Sequence, residues 1–332
     1  MTFSARSPRP TGLLAVTIAL SLAAATALPA QAGDGETAFI AKEAPASQQP
    51  SDGSEPANVA LPPPPVIPTD FTAVYKFTAL GLKLGEARLE VKVERNSRYQ
   101  VHSRMKTGGL AAIFFQSRYV VVGLGRIEDT GAILPSRYDS RFVGSDSAKL
   151  VSLIYGRDGL PMPAAADPPY GERILKQPVT VEQKRGTVDP MGAWVHFMTG
   201  VSVSDTDPCG TVIPVFDGRR RYDFRLEYKG QENVKVRGGD VYKGKAYRCA
   251  FVYTPVAGYK AEQLEKDAVP VPPLEAWVIP LKTPQGRTLL VPSRVEAKAP
   301  IGKLKLKLLR VGFAPVEDEV LFAQSGSADP SP

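Results

Sequence analysis

Glu86-Ala-Arg-Leu-Glu-Val-Lys-Val-Glu94 alternates without a break, with Ala87, Leu89, Val91 and Val93 on one parity and five charged residues on the other. Successive side chains of a β-strand point to opposite faces, so this stretch predicts a strand with one dry and one wet face, the mark of an antiparallel sheet. Arg221-Tyr-Asp-Phe-Arg-Leu-Glu-Tyr-Lys229 repeats the pattern, with Tyr222, Phe224, Leu226 and Tyr228 on the apolar parity. Arg294–Ala299 does so through Val295, Ala297 and Ala299, and Lys303–Leu308 is a plain Lys/Leu alternation. After Leu308 the apolar phase slips by one to Leu309, Val311 and Phe313. A β-bulge at that point keeps both halves facing the core.

Further strands are expected at Phe71–Thr78, Tyr99–Met105, Ser117–Ile127, Ser136–Val143, Leu150–Tyr155, Tyr247–Thr254 and Glu275–Pro280, with turn signals at Gly81, Asp158-Gly159, Asp217-Gly218 and Pro284-Gln285-Gly286. One good helix is expected. Asp189 is its N-cap, Pro190 its first residue, and it runs to Thr199 before Gly200. A shorter helical turn is expected near Leu110–Phe114. So many one-sided strands with one or two short helices predict an all-β (β-dominated) fold, a strongly curved antiparallel sheet or open β-barrel that the helix plugs or crosses. A flat sandwich is the alternative architecture.

The ends read differently. Residues 1–32 carry Arg6 and Arg9, an uncharged apolar run from Gly12 to Leu28, and Ala30-Gln31-Ala32 after Pro29. This is the order of a secretory signal peptide cleaved between Ala32 and Gly33, and the run is shorter than the roughly 20 residues of a bilayer span. The mature chain is therefore expected in a bacterial periplasm, not membrane-spanning. Gly33, not cysteine, follows the cleavage point, which excludes a lipid-anchored lipoprotein. Residues 33–68 form a Pro/Ala-rich disordered linker with the run Pro62–Pro65, and 315–332 a disordered tail. Between them, 69–314 reads as a single β-rich domain. The chain carries a net charge of +7. Its acidic linker leaves the body more basic than that, which suits an anionic partner as well as it suits simple solubility.

The only cysteines are Cys209 and Cys249. In an oxidising compartment they are expected to pair, closing a loop of about 40 residues. The densest basic point is Arg219-Arg220-Arg221, which follows the Asp217-Gly218 turn and leads into Tyr222. These four residues are the candidate ligand-binding set, since three guanidinia at one turn can grip a phosphate or carboxylate. Equally, Arg219 and Arg221 can be wet-face residues with Arg220 paired to Asp217 or Asp223. The lysines Lys303, Lys305 and Lys307 read as a solvated or edge-protecting face, or as an acidic-surface contact. A set of aromatics, Tyr75, Phe77, Tyr222, Phe224, Tyr228, Phe251, Tyr253 and Trp277, is expected inside the curve as core or cavity lining.

Catalytic patterns are missing. Gly239–Ala246 imitates a phosphate-binding loop but has Ala246 where magnesium needs Ser or Thr, and it runs into a strand, not a helix. His102 and His196 lie far apart without metal spacing, and there is no G-x-S-x-G elbow. No metal, cofactor, nucleotide or nucleic acid is expected.

Three stretches carry a family resemblance: YKFTALGLKLGEARLEVKVERNSRYQVHSRMKTGGL from Tyr75, GAILPSRY over Gly131–Tyr138, and DPMGAWVHFMTGVSVSDTDPCGTVIPVFDGRRRYDFRLEY from Asp189. They resemble the proteobacterial family called domain of unknown function 3108, the last stretch its rhizobial-type members. The resemblance implies an exported envelope protein with a β-rich fold and supplies no activity or catalytic residues. In architecture there is a looser likeness to curved-sheet periplasmic lipid and lipoprotein carriers. The expectation is a non-enzymatic periplasmic cell-envelope protein binding a lipid, glycan or protein partner in or on a curved sheet. The alternatives are an envelope enzyme acting on glycan or peptidoglycan, and a structural scaffold.

Overall fold

The computed structural model describes residues 69–313 except 95, 109–115, 146, 170–177, 200–206, 237–241, 260–273, 285 and 300–301. The signal and its cleavage point at Ala32-Gly33, the linker, the tail and the helical turn expected near 110–114 lie outside the described residues.

The N-terminal half is a meander of seven strands: β1 (Thr69–Ala79), β2 (Leu82–Val93), β3 (Arg98–Thr107), β4 (Ser117–Ile127), β5 (Ile133–Gly144), β6 (Ala148–Tyr155) and β7 (Pro161–Asp167). Two helices follow, α1 (Val181–Lys184) and α2 (Pro190–Thr199). A second meander completes the fold with β8 (Thr211–Phe216), β9 (Arg221–Val236), β10 (Tyr242–Ala257), β11 (Leu274–Lys282), β12 (Thr288–Ala299) and β13 (Gly302–Gly312). All pair antiparallel in one 13-stranded sheet, ordered β7-β6-β5-β4-β3-β2-β1-β13-β12-β11-β10-β9-β8. First and last strands therefore meet at the centre, and the two halves curl towards each other until the sheet is nearly closed. The bulge expected after Leu308 is present: Val74 pairs with Arg310 and Tyr75 with Leu308, which leaves Leu309 as the extra residue.

Two strands were not expected from the sequence, β7 and β8, and these are the two edges of the sheet. Both contain proline (Pro161 and Pro163 in β7, Pro214 in β8), which cannot donate to a ladder and is tolerated at an edge. The β8 edge is partly covered by Val188, whose N–H donates to Pro214 O at 2.9 Å while its own carbonyl accepts from Phe216 N at 3.0 Å.

α2 follows the expected bounds. Asp189 Oδ1 accepts from Met191 N at 2.8 Å and Gly192 N at 3.0 Å, capping the first turn. Eight of its ten residues are buried, Met191 and Trp194 among them, so the helix is apolar around nearly its whole circumference. Such a helix belongs inside a fold. It packs against β4 and β5 from one half and β8 and β12 from the other, so it fills the interior of the wrapped sheet. The aromatic parities join this core: Tyr222 stacks on Tyr253 with ring centroids 4.6 Å apart, and Phe224 lies 5.0 Å from Phe251.

Trp277 departs from expectation. It pairs laterally with Arg248 and Arg294 on the outer face, and the Arg294 guanidinium lies 3.6 Å from its ring centroid. Its parity is that of Glu275, on the charged face. The cation–π stack and the stems of neighbouring strands bury it there.

Cys209 and Cys249 are bridged, with Cα atoms 5.8 Å apart, tying the segment before β8 to β10 two strands away. A loop of this length is worth about 4 kcal/mol of unfolded-state entropy. Replacing both cysteines by serine is expected to lower stability by about that amount, read as a shifted urea midpoint.

Candidate functional site

The basic turn predicted from the sequence sits where the two ends of the sheet meet. Asp217 is buried and organises it: Oδ1 accepts from Arg219 N at 2.9 Å and Arg220 N at 2.7 Å, and Asp217 N donates to Arg220 O at 3.1 Å. Between them Gly218 has φ of +91° and lies so close to β6 that an added Cβ would stand 2.4 Å from Val151 Cγ1. Only glycine meets both demands. The β8–β9 turn is thus pressed onto the far end of the same sheet, forming a seam.

The seam sorts the four candidates. Arg221 is engaged at the side, with Nε donating to Gln183 O of α1 at 3.0 Å and Nη1 2.8 Å from Asp223. Tyr222 lies beneath the turn in the core, 1% exposed. Arg219 and Arg220 remain at the seam. Arg219 Nη2 donates to Pro168 O, just past β7, at 2.8 Å, and the Arg220 guanidinium lies 5.7 Å from the ring of buried Tyr259. The Tyr259 hydroxyl is hydrogen-bonded to that of Tyr253.

A fifth residue joins them that sequence reasoning missed. Lys149 of β6 is half-buried at the seam, and burial together with the nearby Arg219 and Arg220 charges lowers its pKa from the ordinary lysine value. Three cations therefore converge from two distant parts of the chain. Beneath them, burial pushes the Asp217 carboxyl up, and Arg220 and the turn's N–H groups pull it back. An arrangement of one ammonium and two guanidinia with a buried counter-charge suits a multivalent oxyanion such as a phosphate ester.

Other candidate chemistry stays as structure. Gly244-Lys245-Ala246 of the phosphate-loop imitation lies within strand β10, with no helix N-terminus to cradle phosphate. Among the described residues, no group of three or more His, Cys, Asp or Glu is placed to hold a metal ion. Glu90, buried on the outer face, is held by Arg88 Nε at 2.6 Å and Arg104 Nη2 at 3.1 Å, with His102 beside it. Of the lysine ladder, Lys303 and Lys305 pair with Glu296 of β12 at 2.7 Å and 3.5 Å.

The sequence matches a family model described as "Protein of unknown function (DUF3108)" over residues 70–309. The chain belongs to the DUF3108 family. No curated protein matches this DUF3108 sequence. Among solved structures, it is similar to a β-barrel-like protein of domain of unknown function DUF1849 from Brucella abortus, covering 76% of this chain and 100% of that one at 11% identity and a TM-score of 0.44. It is also similar to MucB in complex with MucA, covering 75% and 94% at 9% identity and a TM-score of 0.13. Among the described residues no helix is long and apolar enough to cross a membrane.

Two buried groups of this DUF3108 domain, Asp189 and His102, contribute opposing pH responses. Burial pushes Asp189 up from 3.8 to about 7, its capping N–H bonds opposing. Burial, with Arg104 adding to it, lowers His102 from 6.5 to about 4. Between pH 4 and 7 the unfolded chain releases the Asp189 proton while the folded chain keeps it, so this group removes stability as pH rises. His102 works the other way: its contribution is complete above pH 6.5 and is lost as pH falls to 4. His102→Gln is thus expected to make the slope of stability against pH more negative than in the unmodified protein. Asp189→Asn, which keeps the cap, should make that slope more positive between pH 4 and 6.5. Each change of slope is up to about 1.4 kcal/mol per pH unit. Urea midpoints measured across this range check both, and slopes identical to the unmodified protein would contradict the assignment.

Proposed function

We propose that this DUF3108 protein is a non-enzymatic binding protein of the bacterial periplasm that holds an anionic envelope molecule, such as a phosphate-bearing lipid headgroup or glycan, at the seam of its sheet. The observation that carries the reading is the convergence of Lys149, Arg219 and Arg220 where the two ends of the sheet meet. The basic body gives such a ligand long-range attraction. Export is supported by the N-terminal signal pattern and by the Cys209–Cys249 bridge, which suits an oxidising compartment. Because α2 fills the interior at its level, binding is assigned to the rim and not to the concave face. The enzymatic alternative has no such support. The carboxyls with raised pKa, Asp189 and Asp217, are buried and accept backbone N–H bonds, and Glu90, Glu275 and Glu296 are ion-paired.

Calorimetric titration with a short-chain phosphatidylglycerol, kept below its micelle concentration, tests the proposal. Saturable one-to-one binding is expected, and Lys149→Gln or Arg220→Gln should each weaken it about tenfold, since a hydrogen bond to a charged group is worth about 1.5–3 kcal/mol. Unchanged affinity in both folded variants would refute the seam as the site.

A further inference from the structure

Every neighbouring pair in the sheet is antiparallel, so strand ends alternate strictly between two rims. β1, β3, β5, β7, β8, β10 and β12 all end at the rim that holds the seam, and the two-residue turn between β1 and β2 lies on it as well. That turn is Leu80-Gly81, closed by the Ala79–Leu82 pair. Its residues have φ of +50° and +82°, the left-handed conformation that two-residue hairpins require and that Asn, Asp and Gly normally supply. Leucine there is strained, and no packing compensates it: Leu80 is 74% exposed and Leu82 53%. A hydrophobic side chain is thus held out into solvent at a position where local energetics favours a small polar one. Val143 at the end of β5 and Val256 at the end of β10 are exposed on the same rim.

Charge surrounds this tip. Lys83 on β2 and Lys305 on β13 flank Thr78 in the register, Lys303 pairs with Lys298, and Lys106 pairs with Glu86. All five lysines are exposed. Two acids oppose them: Glu86, 2.6 Å from Lys83, and Glu296, shared by Lys303 and Lys305. The lysine ladder read from the sequence therefore ends beside the protruding leucines. Apolar side chains ringed by cations complement a bilayer surface carrying anionic headgroups, where leucine enters the acyl boundary and lysines stay among phosphates.

We infer that the Leu80–Leu82 tip docks this rim onto a membrane leaflet containing anionic phospholipid. The inference stands on the tip and its lysines and does not require the seam site. Docking in this orientation turns the seam, on the same rim, towards the headgroups.

Sedimentation of the mature chain with vesicles of phosphatidylglycerol and phosphatidylcholine in equal parts tests it. Binding is expected, with release at high salt and about tenfold weaker partition onto phosphatidylcholine alone. Leu80→Asn suits the positive-φ position, so it should keep or raise the melting temperature while weakening partition about tenfold. Lys83→Gln with Lys303→Gln should weaken it comparably. Wild-type partition by Leu80→Asn, or equal binding to both vesicle types, would overturn the inference. Self-association that depends on Leu80 without vesicle binding would overturn it too, assigning the tip to a second copy. Leu80→Asn should retain short-chain phosphatidylglycerol binding, so failure of the tip and failure of the seam are read separately.

Discussion

Asp189 caps α2 from inside the sheet, and that short pair of hydrogen bonds holds an almost wholly apolar helix where the inner faces of β4, β5, β8 and β12 come together. A sheet of one-sided strands must hide its apolar face, and wrapping alone leaves an interior that needs filling. The helix supplies the filling, and its burial contributes to the curvature by drawing both halves of the sheet onto it. A carboxyl with a strongly raised pKa is the electrostatic cost, since Asp189 is removed from water to serve as the cap.

From that wrap comes the seam. β7 and β8 are edges of one sheet and carry prolines that suit them to that place. Their ends approach because the sheet curls around α2, and the contact is made by the Asp217-Gly218 turn against Val151 of β6. Lys149 is brought to Arg219 and Arg220 by this closure, not by any local preference. Repulsion among three cations at a half-buried place opposes the closure, and Asp217 beneath them offsets part of it. An anion bound there would offset more and so favour closure.

Outer and inner faces obey different rules. Inside, aromatic rings pack on one another, as Tyr222 does on Tyr253. Outside, cross-strand ion pairs and the Arg294–Trp277 stack cover the sheet. Leu80 belongs to neither regime, which is why it stands out as a functional candidate. Turn geometry, apolar exposure and local charge each conflict with or frame that residue, and no intramolecular contact resolves the conflict.

Much of the fold was legible in the sequence, because period-two alternation is a local signal that survives into the structure. The Glu86–Glu94 stretch, the bulge at Leu309 and the bounds of α2 follow from parity, phase and capping chemistry within a few residues. The proline-bearing β7 and β8 escaped notice because their pairing depends on being at an edge, which no window of sequence reveals. Of the site, the sequence displayed Arg219 and Arg220 as neighbours. It could not show Lys149 beside them, since the two segments are joined only by the curl of the whole sheet. Strand parity already put Tyr222 on the inward face, where it lies, but it could not show Arg221 occupied by Asp223. Alternation determined which residues face inwards along each strand; wrapping around α2 decided which distant residues share a surface, because strand parity is set by backbone geometry while proximity across a seam is set by how the whole sheet closes.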